Sequence, residues 1–244
     1  MKTLAVIPAR YGSTRFPGKP LALLAGKPIV QHVWEKCRAS GVDAVIVATE
    51  DERIAAACRA FGATAELTRA DHGSGTDRVA EVGARRREFD IVLNVQGDEP
   101  GMAPDVIRAV AKAVAEVSCD IATAAAPLEN EHDLTNPNVV KVVTALDGRA
   151  LYFSRSPIPF HRDRTVQPPA YLRHLGIYGF RRDALQRVAI LPPSPLELAE
   201  SLEQLRWLQA GMSIHCALVS TFSVGIDTRE DLLAFEQALI TPRA

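Results

Sequence analysis

Short runs of consecutive apolar residues alternate with segments of helical periodicity, and this alternation restricts the fold more than any other feature of the chain. The first three runs are residues 4–7, 44–48 and 91–95. Runs of this kind are typical of parallel strands that are buried on both faces. Segments with the helical period separate them, at residues 28–40, 51–61 and 76–88. The pattern predicts right-handed β-α-β crossovers and an α/β fold with an open, mostly parallel sheet.

The second half of the chain departs from this alternation. A helix at 104–117 and a strand at 121–126 are followed by strand-like residues 139–144 and 150–154, which indicate a hairpin. We predict a small β-rich insertion over approximately residues 130–180. Further elements are expected at residues 171–180 (strand), 195–210 (helix), 214–219 (strand) and 229–240 (helix). No linker divides the chain, so residues 1–244 are expected to form a single domain.

The charge balance excludes a partner that is held by bulk electrostatics. The 244 residues include 28 Lys and Arg and 29 Asp and Glu, a net charge of −1. This charge gives no field able to capture a nucleic-acid backbone, and the longest basic run, residues 85–87, is explained most simply as a solvated helix face. An anionic small molecule would have to be held by local positive charge.

The cysteines and the first residues indicate a cytoplasmic protein. The cysteines occur singly, with no C-x-x-C pair, which argues against a zinc site or a disulfide framework. The N-terminal apolar run is too short for a signal peptide or a membrane span. We therefore expect a reducing cytoplasm and no membrane partner.

The loop after the first strand, PARYGSTRFPGKP at residues 8–20, is the first candidate site. Ligands of open α/β sheets bind at the carboxyl ends of strands, and a glycine-containing loop there can turn backbone N–H groups towards phosphates. Arg10, Arg15 and Lys19 add positive charge. The loop is not a P-loop, because its glycine spacing is too long and Pro20 follows Lys19, and it lacks a dinucleotide fingerprint. A plain surface loop remains the alternative.

The segment HGSGTDR at residues 72–78 is the second candidate. Its glycines would let a flat ring approach the backbone, and Ser74, Thr76 and Arg78 could hydrogen-bond to the edge of a base. The alternative is structural, with Thr76 or Asp77 serving only as the cap of the following helix.

Two carboxylates occupy similar settings far apart in the chain. Asp98 lies in NVQGDEP, directly after an apolar run, and Asp227 lies in GIDT, between another such run and the last helix. Mg²⁺ is commonly held by one or two protein carboxylates plus substrate phosphates, so Asp98 and Asp227 suffice as a pair. Either residue could instead be only a turn or cap residue.

Taken together, these segments resemble the 3-deoxy-manno-octulosonate cytidylyltransferase (CMP-KDO synthetase) family over essentially the whole chain. Other segments that carry the resemblance are NPNVVKVV (136–143), YFSRSPIPF (152–160), RHLGIYGFR (173–181), PSPLELAESLEQLRWL (193–208) and GIDTREDL (225–232). The opening loop alone indicates a sugar nucleotidyltransferase, and the later segments narrow it to this family. One small departure is Phe180, where tyrosine is expected as often. The resemblance implies a Rossmann-like sheet of the nucleotide-diphospho-sugar transferase type.

The resemblance also implies a set of nucleotide-binding and catalytic residues. The residues expected to bind CTP are Arg10, Ser13, Arg15, Lys19, Ser74, Gly75, Arg78 and Asp98. Asp98 and Asp227 match the aspartates that bind magnesium in the family. Catalysis is expected to depend on Lys19, Arg15, Asp98 and Asp227.

For the sugar acid 3-deoxy-D-manno-octulosonate (KDO), the resemblance implies a second set of residues. They are Gln96, Arg155, His174, Tyr178, Glu203 and Gln204. Because KDO has one carboxylate and several hydroxyls, Arg155 and His174 suit the carboxylate and the others suit the hydroxyls. Each has a structural alternative, such as a solvated helix face for Glu203 and Gln204 and strand packing for Tyr178.

The implied reaction is the in-line attack of the anomeric 2-hydroxyl of KDO on the α-phosphorus of CTP, which gives CMP-KDO and diphosphate for lipopolysaccharide biosynthesis. We hypothesise that one Mg²⁺ at Asp98 and Asp227 polarises the α-phosphate. A second Mg²⁺, bound mainly by phosphates, would neutralise the β- and γ-phosphates together with Lys19 and Arg15. A homodimer through the β-rich insertion is expected.

Three alternative functions are compatible with the same general fold. The nearest is cytidylyl transfer to a related sugar acid such as an amino-KDO, or transfer of UMP, dTMP or GMP to another sugar. A catalytically silent nucleotide-sugar sensor could keep the same fold, but Asp98, Asp227, Lys19 and Arg15 argue against it. A GT-A-type glycosyltransferase would favour an Asp-x-Asp motif, whereas Asp98 precedes Glu99 and Pro100.

Overall fold

Strands and helices alternate along the first half of the protein, as the apolar pattern predicts. The computed structural model describes residues 1–12, 16–128, 130–163, 165–167, 170–221, 225–226 and 228–240, the last three of them as backbone only. The strands are β1 (Thr3–Pro8), β2 (Leu23–Leu24), β3 (Lys27–Pro28), β4 (Ala44–Thr49), β5 (Thr64–Leu67), β6 (Ile91–Asn94), β7 (Ile121–Pro127), β8 (Lys141–Thr144), β9 (Ala150–Ser154), β10 (Leu172–Arg181) and β11 (Ile214–Leu218).

The helices cover both faces of the sheet that these strands form. They are α1 (Ile29–Ala39), α2 (Glu52–Ala60), α3 (Gly75–Arg85), α4 (Pro104–Glu116), α5 (Glu131–Thr135), α6 (Arg182–Ala189), α7 (Pro195–Glu200), α8 (Gln204–Gln209) and α9 (Arg229–Ile240), with a short 3₁₀ helix at Lys19–Leu21. Among the described residues, no helix is both long enough and apolar enough to cross a membrane.

The main sheet is open and mixed, with its strands in the order β11-β7-β10-β6-β1-β4-β5. Neighbouring strands from β6 to β5 run parallel, and so do β7 and β11. β10 lies antiparallel between β6 and β7, and it also pairs with the hairpin of β8 and β9. The expectation of an α/β fold with an open, mostly parallel sheet is confirmed, and the predicted hairpin extends that sheet.

The apolar run in β1 is continuous because helices cover both of its faces. Leu4 and Val6 belong to a core shared with α3, α6 and α8, whereas Ala5 and Ile7 belong to a core shared with α1, α2 and α4. All four are fully buried. Burial of one large aliphatic side chain contributes about 1.5–3 kcal/mol, so the strand fixes the centre of the domain.

The single helix predicted at residues 195–210 is wrong. Residues 195–210 form two short helices, α7 and α8, because Ser201 adopts a left-handed conformation at φ 51° and ends α7. A capping box of Ser194 and Glu197 starts α7. The break places Glu203 at the start of α8 instead of in the middle of a solvated helix. The elements β2, β3, β5, α5, α6 and the 3₁₀ helix were not predicted.

Candidate functional site

The carboxyl ends of β1 and β6 lie side by side, because the two strands pair in parallel with Val6 opposite Asn94. The loops that leave these ends enclose a cavity of about 210 Å³, together with the residues before α3. The predicted site residues that line the cavity are Arg10, Lys19, Ser74, Gly75, Arg78, Gln96 and Asp98. The sheet therefore brings three segments that are distant in sequence to one edge.

Gly97 permits the close approach of two of these segments. A Cβ atom at residue 97 would lie 2.7 Å from the carbonyl oxygen of Pro8. Any side chain there would push the loop after β6 away from the loop after β1. The position of Asp98, the next residue, therefore depends on this glycine.

Lys19 and Asp98 form an ion pair at the cavity. The Lys19 Nζ donates to Asp98 Oδ2 at 2.6 Å and to the carbonyl oxygen of Ile226 at 2.9 Å. The backbone N–H of Ile226 donates in turn to the carbonyl oxygen of Asp98 at 2.9 Å. The Lys19 side chain is 11% exposed and that of Asp98 is 35% exposed, so the carboxylate is the more accessible member of the pair.

The start of α3 is fixed by a capping box rather than by Thr76 or Asp77 alone. Ser74 Oγ accepts from the backbone N–H of Asp77 at 3.1 Å, and Asp77 Oδ2 accepts from the backbone N–H of Ser74 at 3.0 Å. Gly75 packs against the first loop, since a Cβ atom there would lie 3.3 Å from Pro8 Cγ. The capping box and the packing of Gly75 thus hold the segment predicted to read a base beside the first loop.

Arg78 is buried on α3, and its charge is balanced within the protein. Its guanidinium lies 2.8 Å from Glu50 Oε2, and it also donates to Thr68 Oγ1. Glu50 Oε1 in turn accepts from the backbone N–H of Tyr11 at 3.2 Å. Arg78 therefore connects α3 with the end of β4 and with the first loop, whereas its base-reading role stays a prediction.

Three predicted residues, Ser13, Arg15 and Asp227, lie outside the described residues, so their roles stay predictions. Asp98 is the described carboxylate of the predicted magnesium site. Among the described residues, no cluster of three or more His, Cys, Asp or Glu could hold a metal. Mg²⁺ needs only one or two protein carboxylates when phosphates complete its shell, and the partly exposed carboxylate of Asp98 beside the cavity fits that requirement.

Glu203 lies at the start of α8 and reaches back to the start of α3. Its Oε1 accepts from Ser74 Oγ at 3.0 Å, and its Oε2 accepts from Thr76 Oγ1 at 2.7 Å. Burial raises the pKa of the Glu203 carboxyl above its ordinary value, although the two hydroxyl hydrogen bonds oppose that shift. Because its carboxyl is engaged in this way, the solvated-face alternative for Glu203 is wrong.

Arg155, predicted to bind the sugar carboxylate, directs its guanidinium at main-chain carbonyl oxygens. It donates to the carbonyls of Glu200 at 2.7 Å, Pro137 at 2.8 Å and Ser201 at 3.2 Å. These contacts join the residues before β8 to the end of α7. The sugar role of Arg155 stays a prediction, and it would require exchange of at least one of these carbonyls.

His174 in β10 is a hydrogen-bonding group without charge in this environment. Thr123 Oγ1 donates its single proton to the carbonyl of Ile177 at 2.7 Å, so it accepts from His174 Nε2 at 2.9 Å, which leaves Nδ1 as an acceptor. Burial lowers the pKa of the His174 imidazole to about 3. The hypothesis that His174 supplies a positive charge for the KDO carboxylate therefore needs revision, since the neutral ring suits a hydroxyl.

Tyr178 and Gln204 are buried, and neither side chain lines the cavity. The Tyr178 ring packs edge-on against Trp207, with centroids 4.8 Å apart, and burial raises the pKa of its phenol well above the ordinary value. Gln204 is only 4% exposed. The packing alternative describes Tyr178 in this structure, and the KDO roles of both residues stay predictions.

Residues that sequence reasoning did not single out also shape the site. Asn94 and Lys141 are fully buried polar side chains, and Thr76, considered only as a base contact or a cap, is 2% exposed. The available signal was an amide at the end of the apolar run IVLN and a lysine inside the run NVVKVV. Polar residues in buried strands need partners, but the sequence does not show which ones.

A cation and carboxylate pair at the carboxyl edge of an open sheet, beside a glycine-bearing helix start, is the arrangement expected of a nucleotidyltransferase, and the comparisons with known proteins agree with that class. A family model described as cytidylyltransferase matches residues 4–214. The protein is 51% identical over 243 residues to the 3-deoxy-manno-octulosonate cytidylyltransferase of Geobacter metallireducens, covering 95% of each chain. It is 49% identical over 240 residues to the enzyme of that name from Yersinia enterocolitica, covering 95% of this chain and 96% of the relative.

A solved structure is similarly close over the full length. It is a CMP:2-keto-3-deoxy-manno-octonic acid synthetase in complex with CTP, with a TM-score of 0.93, 43% identity and coverage of 98% of this chain and 99% of the other. The chain therefore belongs to the 3-deoxy-manno-octulosonate cytidylyltransferase family, and it is a cytidylyltransferase.

Proposed function

We propose that the protein transfers CMP from CTP to the anomeric hydroxyl of KDO and releases diphosphate. The observation that carries this proposal is the ion pair of Lys19 and Asp98 in a cavity shared with Ser74 and Gly75. Family members named for this activity, and a related structure that contains CTP, support the choice of nucleotide and acceptor. The cavity provides positive charge for phosphates and a small-residue surface for a base.

The chemistry is a displacement at phosphorus, which depends on positioning and charge neutralisation. Lys19 and Arg10 would hold phosphate oxygens, and the rigid segment before α3 would orient the base. Arg15 is proposed to assist Lys19. Glu203, Gln96 and the neutral His174 imidazole are suited to hold hydroxyls of the sugar acid, so that its anomeric hydroxyl meets the α-phosphorus in line.

Asp98 and Asp227 are proposed to hold Mg²⁺. When bound, the ion would supply Lewis-acid polarisation of the phosphates. Asp98 is prepared for this role, because its carboxylate is partly exposed while Lys19 and Ile226 fix the loop that carries it. Titration of the protein with Mn²⁺, followed by water relaxation, should give a site that the Asp98→Asn variant weakens.

The decisive test is diphosphate release with each nucleoside triphosphate, with and without KDO, and with and without EDTA. Release that needs CTP, KDO and the divalent cation together supports the proposal. Release with CTP only when an amino-KDO or another sugar acid replaces KDO would move the acceptor assignment and leave the nucleotide site intact. No release with any acceptor would overturn the proposal.

A cytoplasmic homodimer that feeds lipopolysaccharide synthesis is the proposed setting. Leu146 in the β8–β9 turn, Leu151 in β9 and Phe160 in the following loop are exposed apolar side chains. Their position supports contact through the β-rich region around residues 130–180. Light scattering coupled to size exclusion should give the mass of a dimer, and a Leu146→Glu, Leu151→Glu variant should give that of a monomer.

A further inference from the structure

A chain of buried hydrogen bonds joins the two halves of the proposed site. Thr76 Oγ1 donates to Glu203 Oε2 at 2.7 Å and accepts from Asn94 Nδ2 at 3.2 Å. Asn94 Oδ1 accepts from Gln96 Nε2 at 3.4 Å. The chain is completed by Ser74, which donates to the other carboxyl oxygen of Glu203.

Both ends of this chain reach the cavity, and its centre does not contact solvent. Ser74 and Gln96 line the cavity, whereas Thr76 is 2% exposed and Asn94 is fully buried. Thr76 has one proton, which it gives to Glu203, and its lone pairs accept from Asn94, so the direction of every bond in the chain is determined. The amide of Asn94 must then present its oxygen to Gln96.

We propose that Thr76 and Asn94 are positioning residues that orient Glu203 and Gln96 towards the acceptor sugar. This inference rests on the proposed function, because it takes Glu203 and Gln96 as the groups that meet KDO. The segment that carries Thr76 also carries the nucleotide-side residues Ser74 and Gly75. A distortion of α3 at its start would therefore be transmitted to Glu203 through the hydroxyls of Ser74 and Thr76.

The test compares kinetic constants of Thr76→Val and Thr76→Ser with those of the wild type. Thr76→Val keeps the volume and removes the hydroxyl, so the KM for KDO should rise about tenfold, while the KM for CTP changes less than about twofold. Thr76→Ser keeps the hydroxyl and should restore the KM for KDO. The matched control is Ser40→Ala, which removes a buried hydroxyl bonded to the carbonyl of Cys37 at 2.6 Å, at the end of α1.

A double-mutant cycle separates positioning from a general loss of structure. Because Thr76 acts through Glu203, adding Thr76→Val to Glu203→Gln should change the KM for KDO by less than about twofold. Independent, multiplying effects would overturn the inference, as would equal rises in the KM for CTP and for KDO or a Thr76→Ser variant that resembles Thr76→Val. If Thr76→Val does not fold, the Asn94→Ser variant must show the same selective rise in the KM for KDO, while Thr76→Ser keeps the wild-type values. A wild type that releases no diphosphate with KDO would overturn the proposed function itself.

Discussion

The proposed nucleotide side of the site, around Arg10, Lys19 and Asp98, and the proposed sugar side, around Arg155 and His174, differ in how their polar groups are used. On the nucleotide side, Arg10 is exposed and the carboxylate of Asp98 is partly exposed at the cavity. On the sugar side, Arg155 is engaged by three carbonyl oxygens, and His174 is bound to Thr123. The first side has charged side chains that a ligand can reach. On the second side, the polar side chains already form hydrogen bonds within the protein, and those of Arg155 hold the segments around residues 137 and 200 together.

The topology explains the difference. Arg10 and Asp98 follow the parallel strands β1 and β6, whose backbones are satisfied by the sheet, so these two side chains keep exposed polar atoms. Lys19 and Arg78 are instead paired with carboxylates of the protein. Sugar-side residues sit where β10 runs antiparallel and where β8, α7 and α8 meet, and the carbonyls that end α7 and precede β8 find their donors in side chains. A side chain in such a region donates hydrogen bonds to main-chain carbonyl oxygens, and it could bind a substrate only by giving up one of these bonds.

The largest expected effect is loss of turnover in Asp98→Asn. The variant keeps an oxygen for Lys19 but removes the negative charge, so kcat should fall about 10²–10³-fold at saturating Mg²⁺. Thermal unfolding should change little. The matched control is Asp105→Asn on α4, whose side chain is 83% exposed and pairs only at the surface with Arg108. Near-normal turnover of Asp98→Asn would show that the charge of Asp98 is not needed for catalysis, and the proposed nucleotide side would then not differ from the sugar side in presenting functional charge.

Lys141→Met tests the sugar side, where stability should change more than chemistry. The Lys141 Nζ donates to the carbonyls of Asn136, Val139 and Arg155, and the side chain is fully buried. Loss of these donors should lower the free energy of unfolding by about 2–4 kcal/mol in urea denaturation. The control Lys112→Met, at a 69% exposed side chain, should cost less than about 0.5 kcal/mol. An unchanged unfolding midpoint for Lys141→Met would contradict the prediction.

His174 should make stability depend on pH. In the folded protein burial lowers its pKa to about 3, whereas the unfolded chain takes up a proton near pH 6.5. Stability is therefore present above pH 6.5 and is lost as the pH falls towards 3. Between pH 7 and pH 5 the wild type should lose about 1–2 kcal/mol more than His174→Gln. The comparison variant His132→Gln, at an exposed residue of α5, should follow the wild type. A His174→Gln curve parallel to that of the wild type would mean that folding does not lower the pKa of the His174 ring.

The sequence predicted the first half of the fold well, because runs such as residues 4–7 and 91–95 are buried on both faces and carry an unambiguous pattern. It did not predict the end of α7, since Ser201 is neither glycine nor proline and its left-handed conformation depends on tertiary packing. The contact between Glu203 and Ser74 joins residues 129 positions apart, and no local pattern encodes it. For the same reason the neutrality of His174 became visible only with its neighbours.

The smallest expected effect lies on the nucleotide side, in the support of the first loop. Arg53 on α2 stacks on the ring of Tyr11, with Cζ 3.4 Å from the ring centroid. A Cβ atom at Gly18, whose φ is 71°, would lie 3.2 Å from Cζ of the same ring. Arg53→Gln removes the stacking cation, so the loop should sample more conformations and the KM for CTP should rise about two- to fivefold. The KM for KDO should stay constant, because the stack supports the loop after β1, whereas Arg155 and His174 lie after β9 and in β10. Arg59→Gln, at an exposed arginine of the same helix that pairs with Glu52, is the matched control. Equal effects of the two substitutions would show that α2 contributes only surface charge, and a rise in the KM for KDO would show that the first loop serves both sides.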